Sequence, residues 1–294
     1  MADGMKPAEI PEEVFELYDA YCHGHLSRRG FFESLGKYAV GGLTVSSLAA
    51  CVLPDYGKAQ TSPGEDGLWE DTLVYDSPKG AGEMEGYFVR PDVDEAVGGV
   101  VVIHENRGLN PHIRDVARRV AKAGYVAFAP DALFPLGGYP GNDDDGRALQ
   151  AQRDRGEMLE DFIAAAEFLK DHAAVNGKVG CVGFCFGGAI ANMMAVRQPW
   201  LSAAVPYYGG WPTAEEAALV KVPLQIHLAG LDERVNTGWP AYKDALDANG
   251  ATYEAFMYPN VHHGFHNDTT PRYDAEAAQL AWSRTVDFFN QTLA

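Results

Sequence analysis

Residues 179–190 read VGCVGFCFGGAI, a short apolar run that passes through a glycine-rich turn into a segment of helical character. The turn contains Gly183-x-Cys185-x-Gly187-Gly188. This is the strand–turn–helix pattern of a nucleophile elbow, with cysteine in the place of serine. Glycines allow a turn sharp enough to expose the central side chain, and the start of a helix favours a thiolate there. The pattern predicts Cys185 as a nucleophile.

Two other interpretations of this stretch stay open. One is a glycine-rich turn that merely carries a buried cysteine. The other is a dinucleotide-binding loop, although that fingerprint requires Gly-x-Gly-x-x-Gly and the central position here is Cys185. Cys181 is expected to be a small core residue, because four residues of extended chain place it too far from Cys185 for a disulfide.

The chain around this stretch alternates strand-like and helix-like segments. Predicted helices include His112–Ala123, Arg147–His172 and Ala275–Leu293, and Pro135–Gly146 is predicted to be a loop. The predicted strands are Asp71–Tyr75, Tyr87–Arg90, Gly99–His104, Tyr125–Ala129, Val179–Phe184, Ala203–Tyr208, Pro223–Leu228 and Tyr253–Tyr258. Crossover helices between strands predict one α/β domain over residues 61–294, with a mostly parallel central sheet flanked by helices on both faces. Chemistry is then expected at the carboxyl ends of the strands.

An acid and a base follow Cys185 in the order that an elbow nucleophile requires. Asp232 lies just beyond the strand Pro223–Leu228, and His262 and His263 lie just beyond Tyr253–Tyr258. An aspartate that orients a histidine beside a thiol makes a thiolate available near neutral pH. A solvated loop acid is the alternative for Asp232.

Metal binding is not predicted. His262, His263 and His266 share one short loop and lack the spacing of a zinc site. The acidic stretch Asn142–Gly146 lacks the terminal glutamate of a calcium loop and is predicted to be a solvated loop.

Four motifs in this order resemble the dienelactone hydrolase family, over roughly residues 65–294. They are His104-Glu105-Asn106-Arg107-Gly108-Leu109, Gly183-Phe184-Cys185-Phe186-Gly187-Gly188, Gly230-Leu231-Asp232 and His263-Gly264-Phe265. The resemblance implies an α/β-hydrolase fold with Cys185 as nucleophile, His263 as base and Asp232 as the acid that orients it. It also implies that no cofactor is needed.

The same resemblance gives roles to residues around the nucleophile. Glu105 corresponds to a buried carboxylate that contacts the resting thiol, where a raised pKa would make it a conditional base. A structural acid at a strand end is the alternative. The backbone N–H groups of Asn106 and Phe186 correspond to the oxyanion hole.

Substrate recognition departs from the family pattern. Well-known members hold an anionic dienelactone through arginines, one of them shortly after the catalytic histidine, but no arginine follows His263 before Arg272. Arg107 and Arg272 are therefore the predicted carboxylate-binding residues, with surface solvation as the alternative. The predicted function is opening of a small-molecule ester or lactone through an acyl-cysteine. A general carboxylesterase or thioesterase, and a non-catalytic redox-sensing or ligand-binding module, are the alternatives.

The composition of the chain disfavours some classes of binding partner and a disulfide-rich fold. The 294 residues include 23 Lys+Arg and 41 Asp+Glu, a formal charge of −18. Such a charge disfavours nucleic acid as a partner, because nucleic-acid binding depends on clustered lysine and arginine. It disfavours anionic membrane surfaces for the same reason. The four cysteines are too few for a disulfide scaffold.

Residues 1–60 differ from the rest of the chain. Twin arginines, Arg28 and Arg29, precede an uncharged run from Tyr38 to Leu53 whose sixteen residues fall short of the roughly 20 that a stable membrane span needs. This pattern resembles a twin-arginine export signal, which implies the export machinery as a partner and a periplasmic or secreted location. Cleavage would fall near Ala59, with acylation at Cys51 as a variant of this reading. The stretch before the arginines is acidic, so the alternative is a cytoplasmic protein with a helical extension, Pro11–His23 and Ser27–Val40, packed on the body.

Overall fold

The computed structural model describes residues 10–39 and 44–294 and is built on one eight-stranded sheet. The strands are β1 (Leu68–Ser77), β2 (Gly82–Pro91), β3 (Val97–Ile103), β4 (Val126–Pro130), β5 (Val175–Phe184), β6 (Ala203–Tyr207), β7 (Leu224–Ala229) and β8 (Tyr253–Tyr258). Their order is β1-β2-β4-β3-β5-β6-β7-β8. The pairs β1–β2 and β2–β4 are antiparallel and all the others are parallel. The predicted α/β class and α/β-hydrolase fold are thus confirmed, and each predicted strand is present.

Helices cover both faces of this sheet. They are α4 (Pro111–Lys122), α5 (Asp143–Gln150), α6 (Arg155–Lys170), α7 (Phe186–Arg197), α8 (Ala214–Ala217), α9 (Glu233–Asn236), α10 (Trp239–Asn249) and α11 (Ala275–Thr292). Alternate side chains of β3 enter opposite apolar layers. Val101 belongs to the layer that includes residues of α6, α7 and α10, and Val100 belongs to the layer that includes residues of α4 and α11. Because both faces of β3 are covered, its sequence is apolar almost throughout.

One helix prediction was wrong. The predicted helix Arg147–His172 is divided, because the Asp154 carboxylate accepts hydrogen bonds from the N–H groups of Gly156 and Glu157 and so begins α6 anew. The stretch Asn142–Gly146, predicted to be a solvated loop, is the N-terminus of α5: the Asn142 side chain caps it, accepting from the Asp145 N–H at 2.9 Å.

Three further helices lie before the sheet: α1 (Glu12–Cys22), α2 (Arg28–Leu35) and α3 (Val45–Val52). We call residues 10–39 and 44–58 the N-terminal segment, and residues 68–293 the hydrolase body. The segment has its own apolar cluster, which includes Tyr18, Phe31 and Val52. The helical pair of the second interpretation is present as α1 and α2, whereas its predicted last residue, Val40, lies outside the described residues. So do residues 41–43 of the uncharged run, and export stays a prediction.

Across the described ranges, no helix combines the length and apolar character that crossing a bilayer requires.

Candidate active site

The nucleophile elbow is formed where β5 passes into α7. Cys185 has φ 56° and ψ −109°, a conformation that side chains rarely adopt. The turn is tight: a Cβ on Gly183 would lie 1.9 Å from the Gly187 carbonyl oxygen, so only glycine fits there. The Cys185 N–H donates to the Tyr207 carbonyl at 3.0 Å, which fixes the elbow to β6. The thiol is thereby held, half-buried, at the N-terminus of a helix.

The loops after β7 and β8 bring the acid and the base to this elbow. His263 Nδ1 lies 2.5 Å from Asp232 Oδ2, and one ring nitrogen of His263 lies within 4.8 Å of Cys185 Sγ. His263 Nε2, the nitrogen that does not face Asp232, is buried and has no hydrogen-bond partner among the described residues. The neighbouring His262 instead stacks on Phe15, with ring centroids 5.0 Å apart. The structure therefore brings the side chains of Cys185, His263 and Asp232 together at one place.

A second imidazole reaches the same sulfur. His23, just beyond the end of α1, has its Nε2 at 3.6 Å from Cys185 Sγ. The Arg234 guanidinium joins the two rings, lying 3.1 Å from His23 Nε2 and 3.2 Å from His263 Nδ1. Three positively charged or chargeable groups thus surround one thiol.

These surroundings favour the thiolate. Burial alone raises the pKa of Cys185, but His263 and His23 outweigh it and lower that pKa to about 5. Burial lowers the pKa of His263, whereas Cys185 and Asp232 raise it more, so the net shift is upward. Both pKa shifts favour a thiolate next to an imidazolium.

The predicted oxyanion donors flank a cavity of about 620 Å³. Asn106, Phe186 and Cys185 all line it. Neither the Asn106 N–H nor the Phe186 N–H donates a hydrogen bond to another residue within the described ranges. The oxyanion-binding role of these two amides stays a prediction.

Glu105 is buried, as predicted, but its ionisation differs from the prediction. Burial raises its pKa, yet Arg107, His112 and Arg272 outweigh burial and leave the pKa lowered. Its carboxylate accepts a hydrogen bond from Asn267 Nδ2 at 3.0 Å. The expected raised pKa is thus not found, because the carboxylate lies among cations. A carboxylate held ionised in this way is a weak proton acceptor for the thiol.

Arg107 and Arg272 do not line the cavity. Both are buried: Arg107 binds Asp143 at 2.7 Å, and Arg272 binds Asp19 at 2.9 Å and covers the Tyr18 ring. This placement does not fit the predicted carboxylate-binding role, because protein carboxylates already occupy both guanidinium groups. The cavity is lined instead by Arg147, Arg153, Arg155 and Arg234.

Three residues of the site were missed by the sequence analysis: His23, Arg234 and Tyr208. Tyr208 directly follows β6 and its ring lies 4.9 Å from that of His263. Its position at the carboxyl end of a strand could have identified it. Arg234 stands two residues after Asp232. His23 carried no comparable signal, since no motif connects it to the elbow.

Among the described residues, two groups of side chains lie close enough together to hold a metal ion. His23, Cys185 and His263 place three ligand atoms within 4.8 Å of one another, and so do His112, Asp115 and Asp268. The guanidinium of Arg234 lies against the first group and that of Arg119 binds both carboxylates of the second. A metal cation would therefore meet an arginine in either place.

Comparisons with known proteins point to one family. The model of the dienelactone hydrolase family matches residues 84–293, and a model named YqhI-like matches residues 1–40. The Escherichia coli (strain K12) protein named "Putative hydrolase fragment YghX" is 51% identical over 114 residues, 38% of this chain and 97% of that protein. The Yersinia pestis protein named "Putative carboxymethylenebutenolidase" is 33% identical over 230 residues, 73% of this chain and 86% of that protein.

A solved structure agrees with these sequence relatives. The crystal structure from Klebsiella pneumoniae titled as that of a "Putative Dienelactone Hydrolase" superimposes with a TM-score of 0.66 at 27% identity. The match covers 76% of this chain and 99% of that one.

Proposed function

The chain belongs to the dienelactone hydrolase family and is a hydrolase of that type, and we propose that it hydrolyses carboxylic esters or lactones through an acyl-cysteine at Cys185. The observation that carries this proposal is the triad geometry. A cysteine with positive φ stands at a helix N-terminus, with a ring nitrogen of His263 within 4.8 Å and Asp232 2.5 Å from that ring. Such an arrangement activates a nucleophile for acyl transfer.

The reaction has two halves. The thiolate attacks the ester carbonyl carbon, a C–S bond forms, and the carbonyl π pair moves onto oxygen beside the Asn106 and Phe186 amides. As the carbonyl re-forms, the C–O bond to the alcohol breaks and His263 gives its proton to the leaving oxygen. Water then loses a proton to His263 and attacks the acyl carbon, and the C–S bond breaks to release the acid and the thiolate.

The cavity indicates which acyl groups fit. Met158, Ala189 and Phe186 give it apolar surface. Arg147 and Arg153 are bound to the carboxylates of Asp144 and Asp161. Arg234 lies 4.0 Å from the Asp19 carboxylate and 3.1 Å from His23 Nε2, which itself lies 3.6 Å from the thiol. We therefore expect compact esters or lactones, and an acidic group on the substrate would meet Arg234.

Burst kinetics test the proposal. With p-nitrophenyl acetate we expect one equivalent of p-nitrophenol per protein in the first turnover, and acetylation of Cys185 in the intact mass. Cys185→Ala should show neither, whereas Cys51→Ala, which changes a cysteine of the N-terminal segment, should keep both. Hydrolysis that survives in Cys185→Ala would reject covalent catalysis by this thiol. A panel of acidic lactones, neutral lactones, esters and thioesters then decides the substrate class.

A further inference from the structure

The N-terminal segment is bound to the hydrolase body next to the catalytic loops. Asp19 pairs with Arg272 at 2.9 Å, the Asn106 side chain donates to the Cys22 carbonyl at 2.6 Å, and Tyr56 donates to Asp143 at 2.6 Å. The Asp55 N–H also donates to a carbonyl of the body at 2.7 Å. These are polar contacts to specific partners, and one of them involves Asn106, the residue that follows Glu105. The segment is thus positioned to act on the site.

His23 is held in the same way as the triad histidine. Its Nδ1 lies 2.8 Å from the Asp19 carbonyl oxygen and 3.3 Å from the Asp19 carboxylate, and its side chain is only 14% exposed. The two Asp19 oxygens at Nδ1 fix the ring, so that Nε2 faces Cys185 Sγ at 3.6 Å and the Arg234 guanidinium at 3.1 Å. Because a guanidinium has no acceptor, a protonated Nε2 can donate its hydrogen bond only to the sulfur. The two rings meet edge to face, with centroids 5.0 Å apart.

The charges around His23 favour its protonated form. Burial lowers the pKa of His23, but its bonds to Asp19 and Cys185 raise it to about 10. The facing groups are the carboxylate of Asp19, the sulfur of Cys185, the imidazole of His263 and the guanidinium of Arg234. With both histidines protonated, the two imidazolium ions lie beside the Cys185 thiolate and the carboxylates of Asp19 and Asp232.

We propose that His23 is a second catalytic imidazole, which donates a hydrogen bond to the resting thiolate of Cys185, so that the active site includes the N-terminal segment. This inference rests on the proposed function, because it assigns His23 to the same nucleophile. His23 moves no proton in the cycle: its hydrogen bond stabilises the thiolate before attack, and His263 serves the leaving group and the water. The working enzyme must therefore keep His23, whereas cleavage near Ala59 would remove it.

The test measures the thiol directly and needs no ester turnover. The rate of Cys185 carboxamidomethylation by iodoacetamide is followed by peptide mass spectrometry across pH, on the full chain. Wild type should show a midpoint near pH 5. His23→Gln should move the midpoint upward by about one unit or more, so that the thiolate population at acidic pH falls roughly tenfold for each unit. His25→Gln is the matched control, since His25 is exposed two residues away, and its midpoint should stay at the wild-type value.

Two further measurements distinguish the remaining outcomes: chemical rescue of a His23 variant by imidazole, and the intact mass of the natively produced protein. In His23→Gly, added imidazole should enter the cavity and restore the low midpoint, which a merely structural loss would not allow. Equal midpoints in His23→Gln and His25→Gln, no rescue, or a native protein that begins near Ala59 would each overturn the inference. If the midpoint shifts as expected but no acetyl-cysteine forms from the ester, the proposed function fails and the role of His23 at the thiol stands.

Discussion

The hydrolase body and the N-terminal segment each bring an aspartate-bound imidazole to the sulfur of Cys185. In the body, Asp232 and His263 come from the loops after two neighbouring parallel strands, β7 and β8. In the segment, Asp19 and His23 lie one helical turn apart on a single helix and its end. Adjacent strand ends always meet at one edge of a sheet, whereas the position of a helical extension depends on how it docks. The topology of the sheet determines the position of the Asp232–His263 pair. The docking of the N-terminal segment on the body determines the position of the Asp19–His23 pair.

The largest difference between the two pairs should appear when the carboxylate of the body pair is removed. Asp232→Asn keeps the shape but loses the charge that orients His263 and stabilises its protonated form. We expect kcat to fall by roughly 10²- to 10⁴-fold, measured by steady-state hydrolysis of a neutral ester. His23→Gln should lower kcat less, because His263 still serves both proton transfers. A larger loss in His23→Gln than in Asp232→Asn would reverse the comparison.

A stability measurement sharpens the comparison at the surface where the two regions meet. Arg107 is buried between Asp143, at 2.7 Å, and Tyr18 of the segment, at 3.4 Å. Arg107→Ala leaves the Asp143 carboxylate buried without its cation, and we expect the free energy of unfolding in urea to fall by about 3–5 kcal/mol.

Arg29→Ala is the control for that variant. Its ion pair with Glu33 is exposed, and pairs of this kind contribute only about 0–1 kcal/mol. If Arg107→Ala instead kept its stability and raised the KM of an acidic lactone alone, Arg107 would be a substrate-binding residue and the structural role would be rejected.

The smallest effect concerns pH. Because the Cys185 pKa is lowered to about 5, the sulfur takes up a proton as the pH falls through that value and nucleophilic attack is lost. We expect kcat/KM for a neutral ester to fall about tenfold for each pH unit below 5 and to be level just above it, since this ratio reports the free enzyme. If kcat/KM instead fell as the pH dropped through the ordinary pKa of a thiol, neither imidazole would act on the sulfur.

Much of the body could be predicted because its patterns are local. The apolar runs of β3 and β5 identified strands, and the glycines around Cys185 identified the elbow. The break between α5 and α6 was missed, since Asp154 reads as one more polar residue on a helix unless its capping bonds are known. Asp143 was predicted to be solvated for a related reason: its burial depends on Arg107, which lies far away in the chain.

The sequence alone was sufficient for the order Cys185, Asp232, His263 and for the strand ends on which these residues lie, because periodicity and glycine sterics act over a few residues. Packing across the chain was needed for the rest. It ionises Glu105 by surrounding it with Arg107 and Arg272, withdraws those two arginines from the cavity, and brings His23 to 3.6 Å from the thiol. Electrostatic effects of this kind depend on distances between remote segments and on the water excluded between them. Neither can be inferred from residues that are neighbours in the sequence.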